Sequence, residues 1–204
     1  MKSVAVKQTK DQIADLIRGD ILSGTLKSGD ELTQEQVAEQ TGLSRMPVRE
    51  AFQTLEQEGF LLRLPNRHMR VIEITDDNIR QYFTTLAALE YSFYQQLTAG
   101  GHSPDGFSDA VATAIETNSP DTEYSFHVAI FSAMKNEYLT GIHKKLLGSF
   151  YLHALHHYWK MGATQKSLHT IWNGIQKADG LTVEKGLAAY FSHYEKLMLK
   201  RKSL

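Results

Sequence analysis

The chain has 204 residues, 42% of them hydrophobic and 22% charged, with a net charge of −1, no cysteine and nine histidines. That profile excludes a mainly disordered chain, a disulfide framework and thiolate metal sites, and it fits two modest domains. No apolar run reaches membrane-spanning length and residues 1–12 lack a signal-peptide core, so a cytoplasmic protein with no membrane partner is expected. Charge is unevenly distributed. Residues 11–43 carry seven acids against Arg18 and Lys27, whereas residues 44–70 carry Arg45, Arg49, Arg63, Arg67 and Arg70 against three acids. A local basic segment between acidic neighbours suits docking on phosphate.

In chain order, Ile13, Leu16, Ile17 and Ile21 recur at helical spacing and predict a helix over 9–23, stopped by Gly24. Residues 26–32 read as a turn or short extended piece. Thr33 and Gln36 form a capping box for a second helix that Gly42 closes. Ser44 caps a third helix, where Pro47 is tolerated in the first turn and Gly59 marks the end. Two β-prone stretches, 60–64 and 69–74, flank Pro65-Asn66-Arg67-His68 and predict a hairpin. This order is that of a winged helix-turn-helix, assigned to residues 1–75. Beyond Asp76 the pattern is helical only, with helices expected over 76–99, 105–117, 120–135, 136–161, 165–178 and 182–202. The fold class is therefore mainly α: the winged domain followed by an antiparallel six-helix bundle over 76–204.

The third helix divides its faces. Val48, Ala51, Phe52 and Leu55 form an apolar stripe, while Arg45, Arg49 and Gln53 stand at i, i+4 and i+8 on another face. A recognition helix needs this division, and arginine's planar fork reads guanine O6 and N7. Ser44 at the helix start suits a phosphate. On spacing alone, a solvated face with two arginines explains the pattern equally well.

The segment Gly19-Asp20-Ile21-Leu22-Ser23-Gly24-Thr25-Leu26-Lys27-Ser28-Gly29-Asp30-Glu31-Leu32, the run Thr41-Gly42-Leu43-Ser44-Arg45-Met46-Pro47-Val48-Arg49-Glu50-Ala51 and the following Leu55-Glu56-Gln57-Glu58-Gly59-Phe60-Leu61 resemble the GntR family of regulators over residues 8–74. The resemblance implies operator contacts by Arg45 and Arg49 and a wing tip in the minor groove. The DNA-binding set is accordingly Ser44, Arg45, Pro47, Arg49, Gln53, Arg67 and His68. His68 takes the place where the family has a wing glycine.

The helical part resembles the FadR-type branch with its ligand-binding domain. Glu123-x-x-Phe126-His127, then Asn136-x-x-Leu139, then Ala189-x-x-x-His193 match its motifs. The resemblance implies a divalent metal such as zinc or nickel, held by Glu123, His127, His169 and His193, with effector binding at its open positions. Two departures stand out. Glu replaces the usual Asp at 123, and Leu168 occupies the position of a family histidine, with His169 one residue late. Tyr82, Tyr124, His153 and His157 are expected to line the effector pocket, and an arginine usual four residues before Glu90 is Leu86. The function implied is a homodimeric repressor that a small-molecule effector, such as an organic acid, releases from operator DNA. A helical domain that only dimerises, and a metal-dependent enzyme, are the rival readings. The effector and the operator are not legible.

Overall fold

A computed structural model describes residues 9–100 and 105–200. The chain separates into two compact units that divide between Thr75 and Asp76.

In the first unit, α1 (Thr9–Ser23) buries Ile13, Ala14, Ile17, Ile21 and Leu22 against α3. Leu16, assigned to the same stripe by its spacing, instead stands 55% exposed. Helix α2 (Gln34–Thr41) starts at the expected capping box: Thr33 Oγ1 accepts from Gln36 N and Gln36 Oε1 accepts from Thr33 N, both at 3.1 Å. It ends at Gly42, whose φ of 68° is open to glycine without a Cβ penalty. Helix α3 (Arg45–Gln57) inserts Val48, Ala51, Phe52 and Leu55 into the core, each no more than 1% exposed.

Strands β1 (Glu31–Leu32), β2 (Leu61–Arg63) and β3 (Met69–Val71) form an antiparallel sheet in the order β1-β3-β2. Met69 and Val71 face the core and Arg70 faces outward, as strand alternation requires. The short extended piece at 31–32 is thus a third strand, beyond the expected hairpin. At the wing tip the left-handed residue is Arg67 (φ 68°), not His68. Its amide closes the turn onto Leu64 O at 2.9 Å, and Asn66 Oδ1 accepts from His68 N at 3.0 Å. The turn therefore forms without glycine, by placing the strained conformation one residue earlier.

The second unit contains α4 (Asp76–Ala99), α5 (Asp105–Thr117), α6 (Pro120–Ala133), α7 (Glu137–Leu146), α8 (Leu152–Tyr158), α9 (Gln165–Gln176) and α10 (Gly180–Leu199). The expected tail of the last helix at 201–202, and Gly101 of the break at Gly100-Gly101, lie outside the described residues. Helix α10 packs on α4 and α9, and α5 packs on α6 and α9. Ser119 caps α6 ahead of Pro120, and Asp179 caps α10.

One expectation fails. Residues 136–161 do not form one helix: a π-helical stretch, Leu147–Tyr151, separates α7 from α8, and Ser149 leaves helical geometry (φ −84°, ψ −123°). The cause is local and tertiary at once. A Gly148-Ser149 pair weakens the helix, and the Tyr82 hydroxyl from α4 enters the break, donating to Leu146 O and accepting from Tyr151 N at 3.2 Å.

Candidate DNA-binding surface and the polar core of the helical unit

The buried side of α3 leaves its opposite side to solvent. Ser44, Arg45, Arg49 and Gln53 are all exposed, and Pro47 is half-buried. Ser44 occupies the N-cap position but makes no side-chain cap bond, so its hydroxyl is not consumed by the helix. Arg45 is paired with Glu35 of α2, and Arg49 lies against Met46 Sδ at 3.2 Å. In the wing, Arg67 is exposed at the tip and His68 Nδ1 sits 2.9 Å from Glu31 Oε2. Arg63 is tied to Glu56 at 2.7 Å. Among the described residues, Arg49, Arg67 and Arg70 have no carboxylate partner. The arrangement offers one helix face and one hairpin tip, both basic and polar, on a rigid apolar core.

Sequence reasoning passed over Arg18, which is only 8% exposed. It donates to Glu58 through Nε (3.0 Å) and Nη2 (2.6 Å), bonds Asp15, and lies 5.6 Å from the centre of the Phe60 ring. This latches α1 to the end of α3. Burial raises the Glu58 carboxyl and the Arg18 guanidinium opposes that.

The helical unit brings Glu123 and His127 onto one inward face of α6, as i, i+4 spacing requires, and both are fully buried. They do not turn to a common point. Glu123 accepts four hydrogen bonds: Oε1 from Trp159 Nε1 (2.9 Å) and Thr164 Oγ1 (2.6 Å), Oε2 from Tyr190 OH (2.6 Å) and Tyr194 OH (2.8 Å). Tyr190 gives its single proton to Glu123, so Tyr151 is the donor in the 2.9 Å Tyr151–Tyr190 bond.

His127 Nδ1 meets Glu90, at 2.8 and 2.7 Å from its two oxygens, and His143 Nε2 meets Glu90 Oε1 at 2.9 Å. All three are at most 1% exposed. Phe131 stacks on His143 with ring centres 3.4 Å apart. Burial pushes Glu90 well up, His127 well down and His143 down to about 3, with His143 adding to the effect on His127. All three shifts favour neutral forms, and His127 Nε2 and His143 Nδ1 are buried without hydrogen-bond partners.

The metal set implied by resemblance is therefore corrected. Leu168, Ile171 and Ile175 form the buried stripe of α9, so His169 is exposed. Val183, Leu187, Tyr190, Tyr194 and Met198 form that of α10, which leaves His193 half-buried on the flank. Glu90, His127 and His143 meet by hydrogen-bonding one another, and among the described residues no three His, Asp or Glu side chains are arranged to hold a metal ion. The apolar period of α10 was readable in the sequence and points to Tyr190 and Tyr194. Glu90, His143, Thr164 and Trp159 carry no comparable signal, because their partners lie 36–53 residues away.

Of the residues expected to line a pocket, Tyr82 is engaged at the break before α8 and borders a cavity of about 270 Å³ with Asn78, Gln81, Thr85, Leu86 and Leu146. Tyr124, His153 and His157 do not line that cavity. His153 is buried and His157 exposed, their rings stacked at 4.0 Å, while Tyr124 is half-buried on α6.

A helix-turn-helix with a three-stranded wing, followed by an all-helical unit, defines the class: a winged-helix domain joined to a helical C-terminal unit. Residues 9–71 match the model of the bacterial regulatory proteins of the gntR family. It is 26% identical over 155 residues to the gluconate operon transcriptional repressor of Bacillus subtilis, covering 71% of this chain and 63% of that protein. It is 24% identical over 116 residues to the HTH-type transcriptional regulator YdhC of the same organism, covering 57% and 49%. The chain thus spans less than two thirds of the length of either relative. Among solved structures, Lar, described as controlling expression of the Listeria monocytogenes agr system, superposes with a TM-score of 0.66 at 16% identity, covering 95% of this chain and 98% of that one. Escherichia coli McbR/YncC gives 0.52 at 19%, covering 94% and 97%. At these identities the likeness speaks for the fold. Among the described residues no helix is long and apolar enough to cross a membrane.

Proposed function

We propose that the chain is a transcriptional repressor that grips operator DNA as a twofold dimer and is released when a small molecule binds its helical unit. The observation that carries the DNA-binding part is the division of α3. Four side chains are at most 1% exposed on one face, and Arg45, Arg49 and Gln53 are exposed on the other. An anchored helix with a polar outer face fits the major groove, and Arg67 at the wing tip suits the narrower groove beside it. One recognition helix per chain grips one half-site, which favours two chains on a near-palindromic site. Repression draws support from the named role of the gluconate operon transcriptional repressor, and an organic acid is the effector class this reading takes. The relatives are regulators by name, which favours a binding protein over an enzyme.

The test is a fluorescence-anisotropy titration on the promoter of the chain's own operon. Arg49→Ala is expected to weaken specific binding by about 1–3 kcal/mol, with two chains bound per site. Unchanged affinity for both Arg45→Ala and Arg49→Ala would sink the assignment. A panel of organic acids added to the preformed complex then reads release directly.

A further inference from the structure

The polar core does not fit the metal that the family resemblance implies, and its geometry shows what stands in its place. An ionised carboxylate offers about four lone-pair sites. Glu123 has four donors on them, two per oxygen, at 2.6–2.9 Å. An ion reaching this carboxylate must first displace at least one of those donors in a fully buried setting.

The remaining members of the implied set are no better placed. His127 has Nδ1 committed to Glu90, and its ring lies 3.8–4.9 Å, centre to centre, from those of Phe126, Tyr151, Tyr190 and Phe191. Its Nε2 is the single buried imidazole nitrogen of the set without a partner. On α9 the inward position belongs to Leu168, and on α10 the inward positions belong to Tyr190 and Tyr194. A carboxylate with its lone pairs filled and one imidazole nitrogen fall short of the three protein ligands a catalytic or sensing zinc site needs.

The donors come from separate parts of the unit. Tyr190 and Tyr194 lie on α10, Thr164 stands at the start of α9 and Trp159 follows α8. Their bonds to Glu123 tie those segments to α6, the same cross-linking that an ion with ligands on several helices would provide.

We infer that a cage of three hydroxyls and one indole N–H replaces the metal ion in this chain, so that the helical unit folds and holds Glu123 independently of any divalent cation. The inference does not depend on the repressor reading, and its test involves no DNA. The full chain is purified without chelators, incubated with zinc or nickel, desalted and analysed for metal, and its melting is followed with and without EDTA. The expected result is far less than one ion per chain, the same in Glu123→Gln, and a melting temperature that neither EDTA nor added zinc moves. Tyr194→Phe, which removes one cage bond and keeps the ring, is expected to lower the melting temperature by roughly 3–12 °C. A near-stoichiometric ion that Glu123→Gln loses, or an EDTA-induced drop in melting that zinc restores, overturns the inference. So does a Tyr194→Phe chain that melts with wild type. If Glu123→Gln fails to fold, the wild-type metal content and the chelator melt decide the matter alone.

Discussion

His127 is shared by two buried networks: its backbone helix presents Glu123 one turn earlier, while its ring is turned to Glu90 and, through it, to His143. The proton balance of this trio sets a pH dependence. Between about 3 and 6.5 the unfolded chain takes up protons on both imidazoles that burial keeps off in the folded chain, so stability falls as pH drops. Above 4.5, Glu90 works in the opposite sense, because the folded carboxyl keeps a proton that the unfolded one releases. Two imidazoles outweigh one carboxyl below 6.5. Once the imidazoles have lost their protons in both states, only Glu90 acts, and its raised folded value makes stability fall as pH rises toward it. The trio thus gives the profile an acid limb from the imidazoles and an opposing limb from Glu90. Glu90→Gln keeps both hydrogen bonds without a titrating proton and should flatten the alkaline limb, while the acid limb remains. Urea midpoints from about pH 5 to about pH 9 read this, and parallel curves for the two proteins above pH 6.5 would contradict it.

Helices α9 and α10 approach each other through glycine. A Cβ at Gly186 would lie 2.6 Å from Ile171 Cγ1 and 2.9 Å from Ile171 N, and one at Gly174 would lie 2.7 Å from both Val183 Cγ2 and Val183 N. Backbone atoms cannot rotate away, so Gly186→Ala must part the helices. We expect a loss of about 1–3 kcal/mol, against a helix preference of roughly 1 kcal/mol in alanine's favour. Gly141→Ala, on exposed α7 with nothing within 4 Å of the added carbon, should instead gain up to about 1 kcal/mol. Chemical denaturation of the pair separates packing from propensity. The start of α2 was legible because its cap is local, Thr33 meeting Gln36 three positions on, whereas the cap at Asp179 starts α10 at Gly180, ahead of the expected 182. The break at Ser149 was only half legible. Gly148-Ser149 is a local weakness, but the hydroxyl that enters it belongs to Tyr82, more than 60 residues away. The exposed polar face of α3 was readable for the same reason as the cap of α2, since a single helix carries all of it. The surroundings of Glu123 were not, since Trp159, Thr164, Tyr190 and Tyr194 meet it only after the unit has folded.

At the scale of the whole molecule, a net charge of −1 sets limits on how the chain treats DNA at large. Binding that uses Arg49, Arg67 and Arg70 on phosphate should weaken with salt, each neutralised phosphate adding about −0.9 to the log–log slope. Arg45 differs, because Glu35 already holds it. Any DNA that engages Arg45 must first pull it from that carboxylate. Random sequence returns only a phosphate contact for this, while the right base edge returns a bidentate pair. On the proposed function, random sequence can dock on phosphate and leave Arg45 with Glu35, whereas the right base edge repays its release, so the pair favours the correct site. Glu35→Gln should raise affinity for random duplex more than for operator and so narrow the ratio between them. On the proposed function, that variant would spend longer on the wrong sites in a cell and repress less well, although it binds DNA more tightly in a tube.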